Sequence, residues 1–344
     1  MRRASTRTFS STRFSEARSC YAASGENLLL TLRFAPIIAL LAWLAVPAGA
    51  EETVSHPFIG ITHIHRTETT PRPFSMHLLK IDLTAPGLSF KVTAPRHEPG
   101  TRETLRQTTR DFLEQEHAQM AINGHFFAPF PSAEPDADLV GLAASAGDVF
   151  STFEQPVQSY ALVARAPALN IDADNQAAIV HADPNDSEGK RVRESVTLYN
   201  VVSGSAQIIT SGVRTIPVYV DDTRPEGLLK TGGPGNYSNH KSWYEVPTAR
   251  TIAGLSEDRR TLFLFTVDNA GGSRGLTVTE AADLLVRDYQ VHDALNLDGG
   301  GSVTLVEEDA DSGQGQLLNV PSDRAPGRAV ASNVAVFARR PTPK

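Results

Sequence analysis

The sequence predicts an α+β fold, with mixed or antiparallel twisted sheets and a few packed helices in a single domain over residues 51–344. Three observations carry that expectation. Strand-length runs outnumber helical ones. The regular strand–helix alternation of a doubly wound sheet is missing. Neither an internal repeat nor a Pro- or Ser-rich linker divides the 344 residues.

In chain order, residues 35–50 come first and read APIIALLAWLAVPAGA, with Arg33 ahead of them and Ala48-Gly49-Ala50 at the end. A basic flank, a short apolar core and a small-x-small terminus make a secretory signal peptide, cleaved near Ala50. The run is shorter than the ~20 apolar residues of a spanning helix, and Pro47, Gly49 and Glu51 argue against an uncleaved anchor. The preceding residues are many for a signal n-region, so either the leader is extended or translation starts downstream of Met1. The expectation is a periplasmic or secreted protein with no stable membrane anchor after cleavage.

Residues 77–83 and 88–92 alternate as two strands around Ala85-Pro86-Gly87. Residues 103–119 read as a helix with Leu105, Phe112 and Leu113 on one face. Met120-Ala121-Ile122 is a short buried strand that stops at Asn123-Gly124, and the Pro- and acid-rich residues 129–138 form a loop. Strands follow at 160–163 and 178–180, then a charged loop at 181–195, then strands at 196–202, 206–209 and 215–220. The loop 236–244 carries Tyr237, His240, Trp243 and Tyr244, which either stack on sugar rings or pack inward. Residues 261–267 are the most apolar strand, ended by Asp268, and 277–289 is a helix with Ala281, Leu284 and Leu285 inward. Strands at 294–297, 303–306 and 334–337 complete the set.

The only cysteine, Cys20, lies in the leader, so the mature chain has no thiol, disulfide or Cys-based metal site. Without the first 50 residues, 26 Lys and Arg face 37 Asp and Glu, a net charge of −11. That balance argues against nucleic acid and anionic membranes as partners. A phosphate-bearing ligand must therefore be met by local cations and backbone N–H groups.

The segment richest in chemistry is Asn296-Leu297-Asp298-Gly299-Gly300-Gly301-Ser302. A buried strand delivers a carboxylate, and three glycines follow that admit φ > 0 and close approach of a ligand to the backbone. Successive free N–H groups there would form an anion nest; the alternative is a hairpin turn. Asn123-Gly124-His125-Phe126-Phe127 has a similar layout. Asn123 would hydrogen-bond a substrate or hold Asp298. His125 would donate to phosphate or act as an acid, although a His beside two Phe is more often packed. Arg250-Thr251 precedes the long apolar strand, and an arginine there either clamps a phosphate or simply faces solvent. Thr277-Val278-Thr279-Glu280 fits a capping box, yet Glu280 also pairs with Asp298 as a candidate glycosidase carboxylate, and Asp268 competes for the same role. Neither a His-Glu-x-x-His zinc spacing nor a Walker loop is present. His63 and His65 alternate on an early strand with no third ligand near them in sequence.

Taken in order, five segments resemble the phosphodiester glycosidase family over roughly residues 57–337. They are Met120-Ala121-Ile122-Asn123-Gly124-His125-Phe126-Phe127, Ala249-Arg250-Thr251-Ile252-Ala253-Gly254, Gly275-Leu276-Thr277 leading to Glu280-Ala281, residues 294–302, and Asn319-Val320-Pro321-Ser322 followed by Arg328-Ala329-Val330. His125 stands where the family more usually has a small residue, and Asn269 where it commonly has Gly, departures that bear on substrate identity. The resemblance implies hydrolysis of a sugar 1-phosphodiester at the glycosidic C–O bond, here of phosphodiester-linked sugars in envelope or extracellular polysaccharide. Asp298 would be the reacting carboxylate and Glu280 the second. Asn123, Gly124, His125, Arg250, Thr251, Asp268, Gly299, Gly300, Gly301, Ser302 and Arg328 would hold sugar and phosphate. No cofactor or metal ligand set is expected. The rival readings are a metal-dependent phosphodiesterase with Asp298 and Asp268 on Ca²⁺ or Mg²⁺, and a non-catalytic polysaccharide-binding or assembly protein.

Overall fold

The computed structural model describes residues 50–153 and 160–342. The signal-peptide expectation thus lies outside the described residues, apart from Ala50. Every ladder between strands is antiparallel. Sheet dominates, with two α-helices among the described residues.

An eight-stranded sheet runs in the order Glu51–Phe58, Ile61–Glu68, Phe74–Asp82, Thr261–Val267, Arg250–Leu255, Asp293–Asn296, Ala206–Thr210 and Val213–Arg214. Facing it is a five-stranded sheet ordered Gly315–Leu317, Leu305–Glu308, Met120–Asn123, Asn333–Phe337 and Ser89–Val92. The two-residue period of a strand sends alternate side chains to opposite faces. Leu79, Ile81, Leu264 and Leu295 of the large sheet therefore meet Met120, Ile122, Leu305, Val334 and Val336 of the smaller one in a shared core. On the outer face of the large sheet, Val278, Ala281, Leu284 and Leu285 of the helix Val278–Tyr289 cover Met76, Leu78, Phe263 and Phe265. Phe112 and Leu113 of the helix Thr109–Glu116 cover Ala121, Val306 and Ala335 on the outer face of the smaller sheet. A second five-stranded sheet, containing Ala168–Ile171 and Asn200–Ser203, closes one side through Leu169, Ile171 and Val202. No helix of the described residues is long and apolar enough to cross a membrane.

Several elements differ from the sequence expectation. The helix expected at 103–119 covers only Thr109–Glu116, because Thr108 caps it and His117 takes a left-handed conformation, φ 54°. Its expected first turn is instead the strand Thr104–Leu105, paired with Asp136–Leu139 inside the supposed loop 129–138. Residues 160–163 and 215–220 are not strands, and 196–202 shortens to Asn200–Ser203. The strands flanking Ala85-Pro86-Gly87 belong to different sheets, so they do not form a hairpin.

This sandwich brings three strand ends together. Asn123 leaves the smaller sheet where Asp298 follows the strand Asp293–Asn296 and where Arg250 opens the strand Arg250–Leu255. The Asn123 side chain donates to the Asp298 carbonyl at 2.7 Å, and the Asp298 N–H donates to the Gly124 carbonyl at 3.1 Å. The two sheets are thereby joined by hydrogen bonds at the base of a cavity.

Candidate active site

The cavity holds about 400 Å³ and is walled by Phe126, Phe127, Tyr160 and Trp243, with Arg250, Asp298, the three glycines and Arg328 on its polar side. Among the described residues, Asp298 is the one carboxylate that lines it. Burial pushes the Asp298 carboxyl up to about 7, against the opposing pull of the Ser302 hydroxyl, the Arg328 guanidinium and the Gly299 N–H. Ser302 in turn accepts from Arg328 Nη1 at 3.2 Å, and Arg328 Nε donates to Asp323 at 2.9 Å. Asp323 was not anticipated; it orients the cavity arginine from five residues upstream.

Arg250 is 1% exposed. Its Nη2 donates to the Val246 carbonyl at 2.5 Å and its Nε to the Leu276 carbonyl at 3.4 Å, while Nη1 has no partner. The guanidinium lies 4.8 Å from the Trp243 ring centroid and has no carboxylate partner among the described residues. Burial lowers its pKa to about 10, so it keeps its charge at neutral pH. An unpaired charge in a protein interior costs several kcal/mol.

The glycine run serves this geometry differently from an open anion nest. The Gly299 N–H faces the Asp298 carboxylate, that of Gly300 donates to the Ala249 carbonyl at 2.8 Å, and that of Ser302 to the Gly299 carbonyl at 3.2 Å. Those three donors are taken within the protein itself. The glycines are needed for space and curvature. Gly300 sits at φ +58°, and a Cβ on Gly301 would fall 2.2 Å from Arg328 Nη2.

The other expected site residues lie behind the cavity or away from it. Thr251 donates to Asn123 Oδ1 at 2.8 Å, and the Thr304 N–H reaches the same oxygen at 3.3 Å, so Asn123 holds the Asp298 backbone and does not line the cavity. Gly124 lies beside it, where a side chain would collide with Ser332. His125 is a core residue. Its Nε2 lies 3.0 Å from the Ser203 N and 3.1 Å from the Leu142 carbonyl, its Nδ1 hydrogen-bonds Ser332 Oγ at 2.8 Å, and burial lowers its pKa to about 4. Asp268 accepts from Asn319 Nδ2 and the Val320 N–H, at 2.9 and 3.0 Å, and pins that loop away from the cavity.

Glu280 is also committed elsewhere. It closes the capping box with Thr277 and receives two bonds from Arg72, at 2.5 and 2.8 Å. Its carboxylate anchors the helix start and is not at the cavity. Glu280→Gln is expected to keep turnover within about threefold and to lower stability by about 1 kcal/mol, the usual worth of a cap. Parallel kinetics and denaturant melts check this; a thousandfold loss of activity would restore its catalytic role.

The aromatic loop 236–244 divides. Trp243 faces the cavity, whereas Tyr244 is buried with its hydroxyl donating to the Ala161 carbonyl at 2.8 Å. Tyr160, on the cavity wall, stacks on Tyr237 at 5.3 Å. Gly271-Gly272-Ser273-Arg274-Gly275, which sequence reasoning missed, carries the letters of a serine-hydrolase elbow. Ser273 is buried, donates to the Asp268 carbonyl and accepts from the Ser75 N–H, so its role is to tie a loop.

The phosphodiester glycosidase family profile matches residues 116–337, most of the chain. The chain belongs to the phosphodiester glycosidase family. The matched span holds the Asn123 support, Arg250, the Asp298 run and Arg328. Among relatives of this family, the mouse N-acetylglucosamine-1-phosphodiester alpha-N-acetylglucosaminidase is 32% identical over 123 residues, 36% of this chain and 21% of that protein. The human enzyme of the same name is 32% identical over 124 residues, again 36% and 21%. The match thus spans about a fifth of the length of these relatives. The zebrafish catalytic domain of that name, auto-inhibited by pro-peptide, shares the fold at a TM-score of 0.58 and 21% identity, over 85% of this chain and 89% of that one.

Proposed function

We propose that this chain hydrolyses sugar 1-phosphodiesters at the glycosidic C–O bond, with N-acetylglucosamine the first sugar to test. The observation that carries this reading is the buried Arg250, with an unpartnered Nη1 and no salt-bridged carboxylate among the described residues, set in one aromatic-walled cavity with a perturbed carboxyl. A phosphodiester supplies the missing anion. A sugar ring supplies an apolar face for Trp243 and Phe126. The phosphate leaves with both electrons of the C1–O bond, and its charge is met by Arg250 and Arg328. Ionised Asp298 then stabilises the oxocarbenium-like carbon or attacks it, and water completes the hydrolysis. With phosphate as the leaving group, a second carboxylate acid is not required, which fits the diversion of Glu280 to its helix cap.

The signal-peptide pattern of residues 35–50 supports a periplasmic or secreted location, with envelope or extracellular polysaccharide as the source of substrate. Purified protein incubated with a GlcNAc 1-phosphodiester in ¹⁸O-water is expected to release free sugar and a phosphomonoester that carries no label. Label in the phosphate, or no turnover across a panel of such diesters, would overturn the proposal.

The pH profile gives an independent check. Since the ionised form of Asp298 reacts, kcat/KM is expected to rise through about pH 7 to a plateau above it. A profile that falls across the same range would assign Asp298 as the acid instead.

A further inference from the structure

Tyr160 and Trp243 wall the cavity from two segments that lie outside any strand. One buried hydroxyl joins them. Tyr219 is 0% exposed, and its Oη donates to the Tyr160 carbonyl at 2.8 Å and accepts from the Trp243 N–H at 2.9 Å. We propose that Tyr219 is a positioning residue: it fixes the two aromatic walls relative to each other and thereby sets the affinity of the cavity for the sugar. The proposal rests on the hydrolase reading given above.

The need for such a tie is the first argument. Aromatic walls hold a sugar ring well when they already stand at their bound spacing, because ordering them on binding costs affinity. Strands fix neighbouring side chains through their ladders. The segments of Tyr160 and Trp243 have no ladder between them among the described residues, and they lie 59 and 24 positions from Tyr219. The hydroxyl supplies the fixed point that a ladder would otherwise give.

The second argument is that the hydroxyl is itself held in place. The Tyr219 N–H donates to Asn239 Oδ1 at 2.8 Å, and Asn239 Nδ2 donates back to the Tyr219 carbonyl at 2.7 Å. The Tyr219 ring belongs to the apolar cluster that the helix Val278–Tyr289 covers. Neither anchor uses the hydroxyl, so Tyr219→Phe removes the bridge and keeps the ring.

The third argument concerns what the bridge does not carry. Tyr244 makes a second tie between the same two segments, its hydroxyl donating to the Ala161 carbonyl at 2.8 Å and lying 3.1 Å from Ser205 Oγ. The segments therefore stay attached when Tyr219 loses its hydroxyl, and the walls shift without coming apart. Arg250 keeps its bonds to the Val246 and Leu276 carbonyls, neither of which involves Tyr219. The loss falls on the sugar and spares the anion.

Tyr219→Phe is expected to raise KM for a GlcNAc 1-phosphodiester by about tenfold and to leave kcat within about threefold, since walls that hold substrate and transition state alike act on KM. A merely structural loss would lower the folded fraction, and with it kcat, at an unchanged KM. Fluorescence gives a readout that needs no turnover. Trp43 and Trp243 are the only tryptophans of the sequence, so Trp43→Phe in every sample makes the emission report Trp243 alone. Acrylamide is expected to quench Trp243 about twofold more steeply in Tyr219→Phe, because a loosened segment opens more often. Asn239→Ala, which keeps the hydroxyl but frees the backbone that carries it, is expected to move KM and quenching in the same direction. Inorganic phosphate is expected to raise the melting temperature of Tyr219→Phe as much as that of wild type. A wild-type KM in Tyr219→Phe, or a phosphate shift lost in that variant alone, would overturn the proposal and leave the hydrolase reading intact. If wild type turns over no diester, the hydrolase reading falls and the quenching comparison decides the bridge, equal quenching with and without the hydroxyl overturning it.

Discussion

Asp298→Asn is expected to lower hydrolysis of a sugar 1-phosphodiester by about a thousandfold or more while the protein stays folded. The amide keeps the size and the acceptor oxygen that Ser302 and the Gly299 N–H address, but it cannot carry the charge that meets the developing positive carbon. The stability readout separates this loss from misfolding. The folded carboxyl titrates near 7, above the ordinary value near 4 of an unfolded chain. Between those values the native state holds a proton that the unfolded state releases. Asp298 therefore contributes stability that is fully present below about pH 4 and lost as pH rises through about 7. Asparagine does not titrate, so the melting temperature of the variant, relative to wild type, is expected to be higher at pH 8 than at pH 5. An active Asp298→Asn enzyme would end the assignment of Asp298 as the reacting group. A variant whose relative melting temperature falls with pH would contradict the burial argument.

Arg250→Met is expected to raise KM for the phosphodiester by about a hundredfold, in the range seen when a charge-assisted contact to an anion is removed. The same residue links anion binding to stability. A ligand that binds only the native state adds RT ln(1 + [L]/Kd), about 2.7 kcal/mol at a hundred times Kd. Inorganic phosphate is therefore expected to raise the melting temperature of wild type and to leave that of Arg250→Met unmoved. Both measurements bear on the unpartnered Nη1 and the lack of a paired carboxylate. Wild-type phosphate stabilisation that persists in the variant would place the anion elsewhere.

The parts of this protein legible in its sequence are those with local causes. The apolar strand Thr261–Val267 and the helix Val278–Tyr289 with its Thr277 cap fall where period and capping put them. The carboxylate-glycine run lines the cavity, and a strand end followed by residues without Cβ is a short-range signal. The helix expected at 103–119 failed for a long-range reason. Thr104 and Leu105 find strand partners in Ala137 and Asp136, more than thirty residues on, and tertiary pairing outweighs the propensity of so short a segment.

Within the site, sequence pattern alone narrowed the carboxylates to Asp298, Glu280 and Asp268, each with a respectable local argument. Which of them is free was decided by partners far away along the chain. Arg72 engages Glu280 across 208 positions, and Asn319 engages Asp268 across 51. Asp298 keeps a cavity-facing carboxyl because its distant partner Asn123, 175 positions away, binds its backbone carbonyl and not its side chain. The same holds for Arg250, which has no salt-bridged carboxylate among the described residues. Hydrogen bonds and charge pairs act over a few ångströms of space whatever the separation in sequence. By itself the sequence therefore determined the locally caused elements and the candidate groups, and only the tertiary structure decided the long-range strand pairings and which of those groups line the cavity.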